Sequence, residues 1–460
     1  MKLSITINKS LLFLSLFIVS TLPARDAWDW KNIDTSTVVF DTNKMLFGVA
    51  LAEYQNSGAT NLPNSNWAHW EKQPGAIENG QTSGVACDFW HLYKTDINLM
   101  KDLGCNSCRL SIDWSAIEPQ EGKFDESAVQ HYHDVIDSML AKGITPMVTL
   151  HHFVHPQWFE AMGAFEKQEN LKFFVRFCVF VFSKFSSKVH LWCPINESGP
   201  LAFQSYIIGH FPPTLGYTHL GFKFSFGTAG QVLGNLMKAH VLVYNALKQM
   251  PNGDKAQIGF NHQYLNFEGY NVWDKPIATV FRYTFNTVIL EFLKTGIFRY
   301  DAYGFKATRI IYKDILSCID FIGLNYYSEV IIRGGDARCY DHEVMTDMQY
   351  AIYAEGFYAA IKDLSQFKKP IYITENGIGD AKDDRRETFI KRYLYAMSRA
   401  MHDFNADIKG YYYWSLMDNF EWEHGRLHKF GLYEVNFDTL TRTLRPGAAC
   451  IKQFFKPLPA

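Results

Sequence analysis

The 460-residue sequence lacks the features that mark several protein classes. Lys and Arg together number 45 and Asp and Glu 47, so a formal charge of −2 gives no basic surface for nucleic acid and no pull toward an anionic membrane. Beyond the amino-terminal region, no stretch is long and apolar enough to suggest a membrane span. No Gly-rich fingerprint follows the first predicted strand, which disfavours an open, dinucleotide-binding sheet.

Cysteine patterns that would indicate a metal or redox centre are also scarce. The eight cysteines are scattered, and Cys105 and Cys108 form the single C-x-x-C pair. Because no second pair stands at metal-ligand spacing, we interpret this short match as chance. We expect buried, unreactive thiols, no metal site and no cofactor.

The amino terminus contains a pattern typical of a secretory signal peptide. Lys2 and Lys9 precede an apolar run over residues 11–22, which is too short to span a bilayer comfortably. We predict a signal peptide over residues 1–24, with cleavage near Ser20 or Ala24. The expected location is secreted or periplasmic, and an uncleaved membrane anchor is the alternative.

Eight short apolar segments alternate with longer helical patterns through the rest of the chain. The predicted strands cover residues 46–50, 107–112, 145–150, 190–195, 257–260, 320–324, 371–374 and 410–414. Helices are predicted between them, for example over 88–103, 127–142 and 385–404. This alternation predicts the α/β class and a single closed (β/α)8 barrel. No linker divides it, so one catalytic domain is predicted over residues 37–460.

Unusual polar or aromatic residues stand at the carboxyl ends of these predicted strands, where a barrel of this kind carries its chemistry. They are Arg109, His151, His152, Asn196, Glu197, Asn325, Tyr326, Tyr327, Glu375, Asn376, Trp414, Glu421 and Trp422. If the strand assignments hold, these side chains converge on one mouth of the barrel.

Two glutamates occupy matching places in this set, Glu197 in P-I-N-E and Glu375 in I-T-E-N-G. Cleavage of a glycosidic bond commonly needs one protonated carboxyl to donate to the leaving oxygen and one ionised carboxylate. In retaining enzymes the two groups lie roughly 5 Å apart. Either glutamate alone is more often a surface or structural carboxylate, whereas the pair at matching strand ends favours a glycosidase.

The sequence resembles glycoside hydrolase family 1, the family of β-glucosidases and β-galactosidases. The resemblance covers essentially the whole chain after the signal peptide. Its motifs, in order, are F-G-V-A-L-A-E-Y-Q at 47–55, R-L-S-I-D-W-S at 109–115, T-L-H-H-F at 149–153, I-N-E at 195–197, G-L-N-Y-Y-S at 323–328, I-T-E-N-G at 373–377, W-S-L-M-D-N-F-E-W at 414–422 and K-F-G-L at 429–432.

The resemblance implies a role for each matching residue. Glu197 would be the acid/base and Glu375 the nucleophile, and Asn196 would hold the sugar 2-hydroxyl. Arg109 and Tyr327 would lie beside Glu375. The other residues expected at the sugar are Gln55, His152, Glu421 and Trp422 on the glycone hydroxyls, Trp414 as an apolar floor, Phe430 in the wall, Tyr350 where the family usually has an aglycone-stacking Trp, and Asn325 as a supporting residue.

Structural alternatives exist for several of these assignments. They are a buried ion pair for Arg109, a capped strand end for Tyr327, a core histidine for His152 and barrel packing for Trp414. Taken together, the motifs favour the functional interpretation for all but Phe430 and Tyr350, which stay open between sugar contact and packing.

Three residues depart from the family pattern. Ser198 replaces the usual Pro after the acid/base, Phe153 replaces a common Trp and His155 stands where an acidic residue is frequent. None of these removes a group that makes or breaks bonds, so they affect substrate fit rather than reaction type. The segments 212–226 and 333–349 are expected to shape the outer subsites.

The expected function is therefore a retaining O-β-glycosidase acting on terminal non-reducing β-linked glucose, galactose or fucose-type residues. Relatives that act on 6-phosphorylated sugars lack the pair formed by Glu421 and Trp422, and thioglycosidases carry Gln where this chain has Glu197.

The alternatives are a transglycosidase using the same residues or a catalytically silent carbohydrate-binding protein. A barrel isomerase or aldolase would need a phosphate grip or a Schiff-base Lys, and neither is found. The expected partner is a small or oligosaccharide β-glycoside, and the oligomeric state is left open.

Overall fold

The computed structural model describes residues 28–213, 225–301, 308–311, 314–334, 336–340 and 343–459. The predicted signal peptide, residues 1–24, lies outside the described residues. So do residues 214–224 of the predicted loop 212–226, and residues 335 and 341–342 of the predicted loop 333–349.

Eight parallel strands close into a barrel, which confirms the predicted (β/α)8 fold. They are β1 (Leu46–Ala50), β2 (Ser107–Ser111), β3 (Thr145–Thr149), β4 (Leu191–Cys193), β5 (Gln257–Gln263), β6 (Phe321–Asn325), β7 (Ile371–Asn376) and β8 (Ile408–Trp414). Each strand pairs with its neighbours in chain order, and β8 closes onto β1. All carboxyl ends therefore meet at one mouth.

Helices occupy the connections between these strands. The α-helices are Glu53–Asn61, Asn66–Trp70, Phe89–Asp102, Trp114–Ile117, Glu126–Ala141, Gln157–Ala161, Leu171–Phe185, Ser198–Phe203, Phe226–Lys248, Lys275–Arg282, Val288–Thr295, Ala354–Ser365 and Arg386–Asp403. Helix Leu171–Phe185 shows why they pack outside the barrel: Phe174, Phe177, Cys178 and Val181 recur at helical spacing and are buried. Among the helices of the described ranges, none is both long and apolar enough to cross a membrane.

Small sheets flank the barrel. Phe40–Asp41 pairs with Phe455–Lys456, Tyr433–Val435 with Arg442–Leu444, and Ile297–Tyr300 with Thr308–Ile311. A three-stranded sheet joins Asn266–Gly269, Glu329–Arg333 and Asp336–Arg338. The Phe455 ring stacks on Phe47 at a centroid distance of 4.0 Å, so the end of the chain packs against the first barrel strand.

Two hydrophobic clusters divide the core. The larger fills the layer between strands and helices. The smaller lies inside the barrel and includes the inward-facing residues Ala50, Met147, Leu191, Cys193, Phe321, Tyr412 and Trp414. A barrel interior is thus packed rather than open, and a polar group inside it needs a partner there.

All eight cysteines are buried, and none of them forms a disulfide. Burial raises the pKa of Cys105 to about 12 and that of Cys108 well above its ordinary value. Within the described part of the chain, no group of three or more His, Cys, Asp or Glu side chains is arranged to hold a metal ion.

Candidate active site

Arg109 joins three strand ends at the mouth of the barrel. Its guanidinium donates to the Glu375 carboxylate at the end of β7, and its Nη2 donates to Asn196 Oδ1, just after β4, at 2.6 Å. The guanidinium is itself held by Thr149 Oγ1 on β3 at 3.0 Å. Because Arg109 lies within β2 and is fully buried, its charge is fixed beneath the site.

Glu197 follows β4 in a left-handed backbone conformation, with φ at 46° and ψ at 64°, directly before helix Ser198–Phe203. The side chain is 5% exposed, and its Oε1 accepts a hydrogen bond from Asn325 Nδ2 at 2.6 Å. Burial first, then the negative charge of Glu375, raises the pKa of Glu197 well above its ordinary value. Bonds from Asn325 and the charge of Arg109 offset this only in part. The environment therefore favours a protonated acid.

Glu375 has the opposite environment, although it is 3% exposed. Arg109 donates to its Oε1, and the Tyr327 hydroxyl donates to its Oε2 at 2.7 Å. Each oxygen of this carboxyl thus accepts a hydrogen bond, and one of the two donors is cationic. The two glutamates thus combine a shielded carboxyl of raised pKa with a carboxyl that accepts a donor on each oxygen, so their environments differ.

The predicted glycone residues form a second layer beside these carboxyls. Gln55 Nε2 donates to Glu421 Oε2 at 3.0 Å, and Asn196 Nδ2 donates to His152 Nε2 at 3.2 Å. Burial, and then the charge of Arg109, lowers the pKa of His152 well below its ordinary value. The imidazole is therefore neutral, and its proton lies on Nδ1.

Two buried polar atoms in this layer have no hydrogen-bond partner among the described residues, Gln55 Oε1 and His152 Nδ1. One is an acceptor and the other, in the tautomer set by Asn196, a donor. Unsatisfied buried polar atoms are costly, and sugar hydroxyls can donate and accept at once. This pair of atoms is suited to a hydroxylated ligand.

Aromatic rings border the polar layer. The His152 ring stacks near Trp414 and Trp422 at centroid distances of 5.8 and 6.1 Å, and Phe430 meets Tyr327 edge-on at 6.0 Å. Trp414 and Phe430 belong to the smaller interior cluster. They give the site flat apolar surface of the kind that packs against a sugar face.

Tyr350 lies half-buried near the same mouth. Burial and then the charges of Glu421, Glu423 and Glu197 raise its pKa, so the phenol lies in the electrostatic field of these three carboxyls. The structure therefore brings every sequence-predicted site residue, including Tyr350 and Phe430, to one end of the barrel.

The residues that depart from the family pattern fit locally. The Phe153 ring packs 5.4 Å from that of Trp422. His155 bridges His151 Nε2 at 3.1 Å and Glu160 Oε2 at 2.8 Å. Ser198 begins the helix that follows Glu197.

Two residues at the site were missed in the sequence. Glu423, bonded to His210 Nδ1 at 3.2 Å, is after burial the largest cause that raises the pKa of Glu421 to about 8. The E-x-E spacing that it forms with Glu421 was a usable signal. Thr374 donates its hydroxyl to Asn325 Oδ1 at 2.6 Å; it lies within the I-T-E-N-G motif, but the motif indicated no role for it.

Comparisons of the sequence with known proteins agree on one family. The sequence model described as "Glycosyl hydrolase family 1" matches residues 40–457. The chain is 31% identical to "Beta-glucosidase A" of Thermotoga maritima, over 87% of this chain and 94% of that protein. It is 30% identical to "6-phospho-beta-galactosidase" of Staphylococcus haemolyticus, over 89% of this chain and 97% of that protein.

Solved structures agree with the sequence matches. A β-glycosidase from Pyrococcus horikoshii superposes with a TM-score of 0.78 at 34% identity, covering 90% of this chain and 94% of that one. A β-glucosidase from Thermotoga maritima in complex with glucoimidazole superposes with a TM-score of 0.77 at 25% identity, covering 89% and 97%.

Proposed function

Because this chain belongs to glycosyl hydrolase family 1 and is a β-glycosidase, we propose that it cleaves terminal non-reducing β-linked glucose, galactose or fucose-type residues with retention. The observation that carries the proposal is the contrast between the two carboxyls. Glu197 is shielded and its pKa is raised, whereas Glu375 receives a donor on each oxygen. A double displacement needs one carboxyl in each condition.

In the first step, Glu375 attacks the anomeric carbon while Glu197 gives its proton to the leaving glycosidic oxygen. The bond from the anomeric carbon to that oxygen breaks, and a glycosyl ester forms on Glu375. In the second step, Glu197 takes a proton from water, the water oxygen attacks the anomeric carbon, and Glu375 leaves as a carboxylate. Two inversions give net retention.

The glycone that best fits the site is unphosphorylated, although one similar protein is named as a 6-phospho-β-galactosidase. Glu423 places negative charge beside Glu421 and the glycone layer: burial alone would raise its pKa, but the hydrogen bond from His210 lowers that pKa below its ordinary value. A phosphate there would be repelled. Lys429 does not compensate, because its Nζ lies over the Phe437 ring, 4.6 Å from the centroid.

Transfer of the glycosyl group to a sugar or alcohol instead of water would use the same two glutamates. It is the second candidate, because the ester on Glu375 is common to both reactions. A silent carbohydrate-binding role is disfavoured, since both carboxyls and their hydrogen-bond partners are present.

We further propose that residues 1–24 direct export, which sequencing the amino terminus of the mature protein would test.

The reaction is tested with nitrophenyl β-glycosides and the variants Glu375→Ala and Glu197→Ala. We expect activity in the parent and a very large loss in Glu375→Ala. Azide should restore turnover in both variants. In Glu375→Ala it replaces the missing nucleophile and the product is an α-glycosyl azide, whereas in Glu197→Ala it replaces the water that attacks the glycosyl ester and the product is a β-glycosyl azide. Glu121→Ala, at an exposed glutamate, is the matched control and should behave as the parent. An active Glu375→Ala enzyme without rescue would contradict the nucleophile assignment.

A further inference from the structure

The hydrogen bonds below Glu197 have a direction that can be assigned from chemistry. A guanidinium has donors and no acceptor, so Arg109 can only donate to Asn196. The atom 2.6 Å from Arg109 Nη2 is therefore the Asn196 oxygen, Oδ1. Asn325 contacts the same oxygen at 3.1 Å and must present its amide nitrogen to it. The orientation of one amide thus fixes that of the next.

The orientation of Asn325 then reaches the carboxyl of Glu197. The Asn325 nitrogen that contacts Asn196 also donates to Glu197 Oε1 at 2.6 Å. Its oxygen points the other way and accepts the Thr374 hydroxyl at 2.6 Å. Asn325 and Thr374 are both fully buried, so no solvent competes for these bonds.

We propose that Thr374 is a positioning residue for the acid/base: by donating to Asn325 Oδ1 it acts together with Asn196 to hold the Asn325 nitrogen toward Glu197 Oε1, and this assigns the transferable proton to Glu197 Oε2. Oε1 accepts an N–H, so a proton on that oxygen would face another donor. The second oxygen is left to carry the proton. The inference rests on the proposed role of Glu197 as acid and adds a residue whose hydroxyl donates to Asn325 rather than to either reacting carboxyl.

A packing role for Thr374 makes a different prediction. The Thr374 backbone carbonyl accepts from Arg109 Nη1 at 3.3 Å, a contact that a side-chain change leaves in place. If the side chain served only to fill space near Gly323, a valine of similar shape would serve as well. If the hydroxyl orients Asn325, valine should fail and serine should succeed.

The experiment compares Thr374→Val, Thr374→Ala and Thr374→Ser on two substrates of one sugar. A dinitrophenyl β-glycoside needs little proton donation to leave, and an alkyl β-glycoside needs it fully. For Thr374→Val and Thr374→Ala we expect kcat/KM to fall about tenfold to hundredfold on the alkyl glycoside and less than about threefold on the dinitrophenyl glycoside. Thr374→Ser should stay within about twofold of the parent on both, given its retained hydroxyl.

Rate constants are expressed per active site, titrated by the dinitrophenolate burst, so that misfolded protein does not enter the comparison. If Thr374→Val has no titratable active sites, the comparison of kcat/KM between Thr374→Ala and Thr374→Ser tests the proposal. Equal losses on both substrates, or a serine variant as impaired as alanine, would overturn the proposal. Failure of the proposed function looks different: the parent would be inactive on both substrates, or Glu375→Ala would stay active.

Discussion

Gln55 donates a side-chain hydrogen bond to Glu421 at 3.0 Å, although the two residues are 366 positions apart in the chain. The bond joins the helix after β1 to the loop after β8. Burial, and then the charges of Glu423 and Glu375, raises the pKa of Glu421 to about 8. A carboxyl expected to contact the sugar therefore changes its charge near neutral pH.

This relationship predicts a pH-dependent affinity for a neutral sugar. An ionised carboxylate accepts stronger hydrogen bonds from hydroxyls than a protonated one does. Binding of free glucose as a competitive inhibitor should therefore tighten as the pH rises toward 8 and level off above it, by about tenfold in total. Glu421→Gln, which cannot ionise, should flatten the profile. An unchanged slope in that variant would exclude Glu421 as its source.

The raised pKa of Glu197 predicts where activity is lost in alkali. If Glu197 is the acid, as proposed, it must be protonated, so kcat/KM should fall as the pH rises through the pKa of Glu197, well above the ordinary value of 4.5. Removing the neighbouring charge with Glu375→Gln should lower the pKa of Glu197. We expect that variant to be inactive, so the shift is measured by NMR of 13C-labelled glutamate. Glu121→Gln is the control, and an unchanged pKa in Glu375→Gln would show that the two carboxyls do not interact.

The barrel itself could be predicted because its signals are local. Strand β1 spans Leu46–Ala50 as expected, since a short apolar run after a turn is typical of a buried parallel strand. β4 is shorter than predicted, Leu191–Cys193 against residues 190–195, and its pairing with β5 is limited to Leu191 and Trp192. The ends of a strand depend on its pairing with neighbouring strands, and the sequence of one strand does not reveal that pairing.

Thr374, one of the two site residues that escaped prediction, serves the site because strand pairing around it is irregular. Alternation along β7 would place Thr374 and Glu375 on opposite faces of the strand. The register shifts between Leu324 and Asn325 on β6 and again between Ile373 and Asn376 on β7. These irregularities let consecutive residues of β7 both serve the site. The motif identified Glu375, but only the paired strands reveal Thr374.

The position of Gly377, two residues after Glu375, leaves no room for a side chain. A Cβ atom there would lie 1.8 Å from the backbone oxygen of Trp414, which cannot move without displacing the apolar floor. Gly377→Ala should therefore lower the free energy of unfolding by about 3 kcal/mol or more and reduce activity. Gly379→Ala is the matched control, because its Cβ would approach no closer than 3.3 Å, to the flexible Met348 side chain. Its cost should stay below about 1 kcal/mol. Similar melting curves for the two variants would contradict this account.

The contacts of Trp30 are expected to stabilise the fold without affecting the active site. Its indole Nε1 donates to Glu355 at 2.9 Å, and its ring packs against Trp28 at 5.4 Å and beneath Arg392 at 5.0 Å. Trp30→Ala removes an aromatic pair, a cation–π contact and a charge-assisted hydrogen bond, so the free energy of unfolding should fall by about 1–3 kcal/mol. Thermal melting measures the loss, while kcat/KM should stay within about twofold of the parent. Trp273→Ala, at a side chain that is 67% exposed, should leave Tm unchanged. An equal drop in Tm for both variants would show that the Trp30 contacts contribute nothing specific.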